Sequence, residues 1–237
     1  MLPKAILFDL DDTLITMQAA SEAAWDACCE TYGASLAPAC TPQTLHKELD
    51  RVRTWFWGDP ERHRVQRQDM AAARREIVRL TLAVFGIEDE LTVDAFTDDF
   101  IRRQQAGVML FPSTLEVLET LQGEGVKMAL LTNGASAAQR AKIDRFGLHS
   151  FFGPILIEGE VGYGKPDVRV FQDALRMLGC TAAEAWMVGD NLVWDIDAPQ
   201  SLGIFSIWHD VCGKGLPLDS PHKPDRIITD LRELLDL

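Results

Sequence analysis

The chain has 237 residues, with 36 acidic against 23 basic side chains and a formal charge of −13 at pH 7. That length fits one large domain, or a core domain carrying an insertion, and it can bury a sizeable core without covalent staples. A composition that is 47% hydrophobic and 25% charged excludes a disordered chain. A pI near 4.8 excludes a general nucleic-acid binder and a strongly anionic membrane as partners, since both need a basic surface. A small anionic substrate is still compatible, because a local patch can oppose the global charge. Five cysteines, Cys28, Cys29, Cys40, Cys180 and Cys212, form no Cys-x-x-Cys pair and are odd in number. They indicate neither a disulfide framework nor a zinc site, and fit a reducing compartment. No run approaches the ~20 apolar residues of a membrane helix, and Met1-Leu2-Pro3-Lys4 leads into a strand-like segment without a signal-peptide pattern. The expectation is a cytoplasmic protein, monomeric or weakly dimeric.

In chain order, Ala5-Ile6-Leu7-Phe8 is a short all-apolar run ending in Asp9, the pattern of a strand buried on both faces of a parallel sheet. Residues 17 to 107 then offer helices and no clear strand. Ala19–Thr31 is Ala-rich and stops at Gly33. Thr41-Pro42 and Asp59-Pro60 each pair an N-cap residue with a proline at the first helical position, and the second is expected to open one long helix running to Phe85. Thr92 is a candidate cap for a helix over Val93–Ala106. About ninety helical residues after a single strand are too many for a crossover, so they are expected to form a separate helical cap. Further apolar runs follow at Val126–Leu131, Pro154–Ile157, Ala185–Val188 and Ile204–Ile207, with a weaker one at Arg226–Ile228. Helical stretches lie among them, at Ser113–Gln122, at Ala137–Phe146 before Gly147 and at Asp167–Leu178 before Gly179. Val211–Pro224, rich in glycine and proline, reads as a surface loop. This alternation implies an α/β fold with a doubly wound parallel sheet, residues 1–16 and 108–237 forming the core and 17–107 the all-helical cap.

The chemistry-bearing residues fall at the ends of these strands, where open α/β sheets bind ligands. In Asp9-Leu10-Asp11-Asp12-Thr13, Asp9 and Asp11 are two apart on an extended segment and point the same way. Two converging carboxylates repel unless they share a cation or one is protonated. That suits a hard-cation site, or a nucleophile beside a general acid; a solvated acidic turn is the plain alternative. Thr132-Asn133-Gly134 offers a hydroxyl and backbone N–H groups that suit a phosphate oxygen, or simply a turn capping the next helix. Lys165, between Gly164 and Pro166, can neutralise carboxylates or a phosphate. Gly159, Gly164 and Lys165 also match the start of a P-loop, but Pro166 stands where that motif needs Ser or Thr. Gly189-Asp190 ends the next strand, and Asp195 follows one helical turn on.

Two Asp, Thr, Lys and two Asp, each at a strand end and in that order, resemble the haloacid dehalogenase (HAD) superfamily. The four signatures run from residue 9 to residue 195, and the helical insertion after the first resembles that family's α-helical cap. The resemblance implies a phosphoric monoester hydrolase in which Asp9 attacks phosphorus to give an aspartyl-phosphate. Asp11 would serve as general acid and then base. Mg2+ would be held by the Asp9 carboxylate, the Asp11 carbonyl and Asp190. Phosphoryl oxygens would be held by Thr132, Asn133 and the Leu10 and Asp11 amides, with Lys165 offsetting charge and Asp195 orienting Lys165 or a water on the metal. Asp11 itself favours phosphoryl transfer over dehalogenation, because a halide leaving group needs no proton. Asp12 stands where many relatives have glycine and is assigned no catalytic role. Parts of the signatures are similar to sugar-phosphate and nucleotide phosphatases, N-acylneuraminate phosphatase among them. A phosphomutase of the same superfamily and a non-catalytic binding module are the alternatives.

In the cap, Arg51–Arg79 carries eight arginines against four acidic residues, a local +4, with Trp55, Phe56, Trp57 and His63 interleaved. Some of Arg53, Trp55, Trp57, His63 and Arg64 are expected to read the leaving group of a small phosphorylated metabolite. The competing expectation is a solvated basic face with the tryptophans packed in the cap core.

Overall fold

The computed structural model describes residues 2–33, 35–36 and 40–237; Met1, part of the opening segment considered above, lies outside them. In chain order the elements are β1 (Ala5–Phe8), α1 (Met17–Gly33), α2 (Pro42–Trp57), α3 (Pro60–Gln66), α4 (Met70–Ala83), α5 (Glu90–Gly107), α6 (Thr114–Gly123), β2 (Lys127–Thr132), α7 (Ser136–Arg145), β3 (Ile155–Ile157), α8 (Glu158–Val161), α9 (Val168–Leu178), β4 (Ala185–Gly189), a π-helical stretch Leu192–Asp197 continuing into α10 (Ala198–Gln200), β5 (Phe205–His209) and β6 (Arg226–Ile228). They divide into two compact units, Met1–Thr16 with Met109–Leu237, and Met17–Val108.

The first unit is built on a six-stranded sheet in the order β3-β2-β1-β4-β5-β6, with every pairing parallel. The doubly wound α/β expectation holds. β1 is central, and all four of its side chains are buried, which is why it reads as unbroken apolar sequence. Its register sets Phe8 beside Leu130 of β2 and Val188 of β4. The chain leaves β1 toward β2 and β3, then returns to continue through β4, β5 and β6 on the other side. The order therefore reverses between β1 and β4, and a ligand crevice belongs outside the C-terminal ends of these two strands. Asp9 follows the first and Asp190 the second. One face of the sheet packs Ala5, Leu7, Ala129, Leu131 and Met187 against Val170, Phe171, Ala174 and Leu175 of α9. Asp167 caps the start of α9, and Gly179, left-handed at φ 65°, ends it.

Among the described residues the second unit is all helical. Its core joins Trp25, stacked on Phe100 at 3.5 Å between ring centroids, to Phe96, Leu45, Leu49, Phe56, Ile77 and Leu82. Cys28, Cys29 and Cys40 are buried in this core as free thiols. Burial pushes the Cys28 and Cys29 thiols up to about 12, so they stay protonated and inert. Thr41 caps α2 as expected, and it does so in a reciprocal box with Thr44.

Two expectations fail here. The single helix from Asp59 to Phe85 is two helices, because the Asp69 side chain accepts from the Ala72 N–H at 3.0 Å and begins α4 afresh. The fifth helix starts earlier than expected, with Asp89 as its cap; Thr92 donates both its backbone N–H and its hydroxyl to that carboxylate. Among the described residues no helix is long and apolar enough to cross a membrane.

Candidate active site

The loop after β1 is tightly wound. The Asp9 N–H is fixed to the Val188 carbonyl of β4 at 2.9 Å, and the Leu10 carbonyl accepts from the amides of Thr13, Leu14 and Ile15. Asp12 adopts φ 60°, the sole non-glycine residue of the described chain in the left-handed region. This accounts for the backbone demand at that position, since left-handed geometry favours glycine and tolerates Asp.

Asp9 is 7% exposed. One carboxylate oxygen accepts from Lys165 Nζ at 2.6 Å, and the other accepts from the Thr13 hydroxyl at 3.2 Å. Lys165 Nζ also donates to Asp195 at 2.6 Å. Lysine and partner are 2% and 1% exposed, so one ammonium is sealed between two carboxylates. The far oxygen of Asp195 accepts from the Asn191 N–H at 3.0 Å. Gly189 is what lets Asp195 fold back this way, because a Cβ there would occupy the space of the Asp195 carboxylate.

Oxygen atoms of Asp9, Asp190 and Asp195 lie within 4.8 Å of one another. Burial, reinforced by neighbouring carboxylates and opposed by Lys165, raises Asp9 to about 7 and Asp190 to about 9. Burial alone would lower Lys165, but Asp195 and Asp9 more than offset it and hold the ammonium above its ordinary range. Three crowded carboxylates sharing one lysine are still short of positive charge. An all-oxygen donor set with a charge deficit fits a hard divalent cation such as Mg2+. Trp208 of β5 steadies the same loop, its indole N–H donating to the Asp190 carbonyl at 2.7 Å.

Asp11 does not join that cluster. Its carboxylate turns to α7, where Lys142 Nζ lies 2.8 Å from both oxygens and the Gln139 side-chain amide donates to one at 3.1 Å. The same amide bonds to the Thr132 hydroxyl and donates to the Asn133 carbonyl at 2.8 Å. Sequence reasoning paired the two carboxylates and supplied one lysine; each has its own. The overlooked signal was Gln139 and Lys142 at i, i+3 on the helix that follows the Thr132 strand.

The Asn133 side chain is engaged at both ends with the Lys165 backbone, donating to its carbonyl at 2.6 Å and accepting from its N–H at 2.8 Å. It braces the lysine loop against the end of β2, and Gly164 gives it room. The Gly134 N–H is taken by Glu158 at 2.9 Å.

In the helical unit, Arg53 forms a two-pronged pair with Glu22 at 3.0 and 2.5 Å, bonds Asp50 at 3.2 Å and lies over the Trp25 ring. Trp57 packs edge-on against Phe56 and His63, at the margin of the cap core. Arg64 is exposed and paired with Glu61 at 2.9 and 2.6 Å. Trp55 is exposed, with the Arg62 guanidinium 3.9 Å from its ring centroid.

Known proteins resemble this chain in sequence and in fold. The chain is 40% identical over 133 residues to phosphoserine phosphatase of Thermus thermophilus, a match spanning 56% of this chain and 52%, about half, of that relative. It is 29% identical over 241 residues to glyceraldehyde 3-phosphate phosphatase of Methanopyrus kandleri, covering 99% and 96% of the two chains. The fold superposes on the magnesium-bound HAD-hydrolase YfnB of Bacillus subtilis with a TM-score of 0.76 at 22% identity, over 100% and 98% of the chains. Residues 3–203 match the haloacid dehalogenase-like hydrolases, and the chain belongs to that family.

Proposed function

We propose that the chain is a Mg2+-dependent phosphatase that hydrolyses a small phosphate monoester through an aspartyl-phosphate on Asp9. The observation that carries this reading is the separation of the two acids. Asp9 is buried against Lys165, whereas Asp11, two residues on, is held apart from the acidic cluster by partners of its own. A carboxylate inside the acidic cluster is placed where a cation can relieve its repulsion with phosphate, and one outside it keeps its oxygens off that cation, as a group that exchanges protons must.

Asp9 attacks phosphorus, the bond from phosphorus to the leaving oxygen breaks, and Asp11 gives that oxygen its proton. Water then attacks the phosphorus of the aspartyl-phosphate and gives a proton to Asp11. The Asp9–phosphorus bond breaks, returning the carboxylate and inorganic phosphate. Lys165 offsets the charge on Asp9, and Asp195 holds the ammonium in place. Thr132, the Asn133 main chain and the Leu10 and Asp11 amides bind phosphoryl oxygens. Asp9, Asp190 and the Asp11 carbonyl would hold Mg2+. When bound, the ion supplies charge that relieves the repulsion between carboxylate and phosphate.

The similarity to phosphatases of phosphoserine and of glyceraldehyde 3-phosphate supports a phosphorylated metabolite of a few carbons. The cap residues Trp57, His63 and Arg64 are assigned to the leaving group; Arg53 is not, because Glu22 and Asp50 hold it within the cap. The test is phosphate release from 4-nitrophenyl phosphate with and without Mg2+, alongside Asp9→Asn. Mg2+-dependent release that disappears in the variant is expected. Release without the metal, or an unimpaired Asp9→Asn, overturns the mechanism.

A further inference from the structure

We infer that Lys142 and Gln139 are positioning residues for Asp11, a clamp on one helix face that fixes the proton donor; the inference rests on the phosphatase reading. Asp11 lies on a loop, and a short side chain on a loop has several rotamers open to it. Two ammonium contacts at 2.8 Å and one amide contact at 3.1 Å select one of them.

Gln139 is 3% exposed although it sits on a helix whose other residues are largely polar. A buried amide has to be satisfied. It is satisfied here by the Asp11 carboxylate, the Thr132 hydroxyl and the Asn133 carbonyl, three groups of the two strand-end loops. Two amide hydrogens serve three acceptors, so the side chain ties the loop after β1 to the loop after β2. Lys142 lies one helical turn on. Its place in the last turn of α7 would by itself be explained by the helix dipole. That explanation does not account for a symmetric grip on a carboxylate 131 residues away, whereas positioning does. The side chain is half-buried, and Lys142→Met keeps its apolar stem while removing the charge.

A residue that acts through the proton donor matters only where a proton must be donated. The test compares kcat/KM of the wild type and Lys142→Met on an alkyl phosphate, whose alkoxide leaves poorly, and on 4-nitrophenyl phosphate, whose phenolate leaves without help. General acid catalysis is worth roughly 10²–10⁴-fold. Lys142→Met is expected to lose at least about tenfold on the alkyl ester and about threefold or less on the aryl ester; Gln139→Leu, which also releases Thr132, is expected to lose on both. Lys142→Arg is expected to recover much of the loss. In an Asp11→Asn background the Lys142→Met penalty on the alkyl ester should vanish, since the two act as one unit.

Equal losses on both esters in Lys142→Met, or a penalty in that variant that persists in full without Asp11, overturn the clamp. If the wild type releases no phosphate from the aryl ester with Mg2+, the phosphatase reading fails instead, so the two failures are distinguishable.

Discussion

Lys165→Met tests whether one buried ammonium holds the acidic centre together. Nζ contacts Asp9 and Asp195 at 2.6 Å each, and both carboxylates are almost fully buried. Methionine keeps the length and apolar stem of the side chain, so the substitution removes charge with little change of packing. Breaking a buried ion pair from one side costs about 3–5 kcal/mol, because the remaining charge is left without compensation. For a chain of this size, about 2–4 °C of Tm accompanies each kcal/mol, so the drop expected is about 6–20 °C. The assay is thermal unfolding at pH 8 in a chelating buffer, where no divalent ion can replace the lysine. At pH 5 the deficit should shrink, because a stranded carboxylate can take up a proton there, each pH unit being worth about 1.4 kcal/mol per proton. Adding Asp195→Asn to the Lys165→Met background should be milder than Asp195→Asn alone, since it removes a charge that no longer has a partner. A Tm within about 2 °C of the wild type at pH 8 would refute the claim that the lysine neutralises this centre.

Three further outcomes follow from the same geometry. Asp9 and Asp190 have pKa values raised to about 7 and about 9 from an ordinary 3.8, so the folded state binds more protons than the unfolded chain between these limits. Metal-free stability should therefore fall as pH rises from about 4 to about 9, and the Tm gain from Mg2+ should be larger at pH 8 than at pH 5; a pH-independent gain contradicts the assignment of these carboxylates to the metal. Gly189→Ala sets a methyl where the Asp195 carboxylate lies, and a displacement of about 1 Å at a reacting centre can cost ~10²-fold in kcat; phosphate release near the wild-type rate would show that Asp195 can move without harm. Arg64→Ala and Trp57→Ala should lower kcat/KM on the best ester of a phosphate-ester panel and leave small aryl phosphates nearly unaffected, and unchanged values across the panel would remove these cap residues from substrate recognition.

Residues whose role comes from topology were legible in the sequence. Asp9, Thr132, Lys165 and Asp190 follow recognisable strands or glycine-flanked turns, and parallel strands in a doubly wound sheet deliver their C-terminal ends to one edge. Lys142 and Gln139 were not legible, because they come from a helix face, where a lysine near the C-terminus already has an ordinary explanation. The split of the Asp59–Phe85 helix was hidden for a similar reason: Asp69 lies within a periodic helical pattern, and its capping bond to Ala72 competes locally with continuation.

The charge pattern of the cap is more even than its basic stretch. The segment Arg51–Arg79 sums to +4, but residues 17–107 as a whole carry fifteen acidic against eleven basic side chains. The structure spends the surplus inside that unit: Arg53 on Glu22 and Asp50, Arg75 on Glu90 and Asp94, and Arg79 on Glu76. A basic stretch read from sequence is thus no ready anion funnel, and an arginine paired in this way must release a carboxylate before it can read a substrate. For Arg64 this costs little, since its pair with Glu61 is exposed and screened by solvent. For Arg53, two-pronged on Glu22 and packed over Trp25, the exchange is far less favourable. The two arginines therefore separate by physical role: the Arg64 pair lies in solvent and is easily exchanged, whereas Arg53 ties α1 to α2 in the cap.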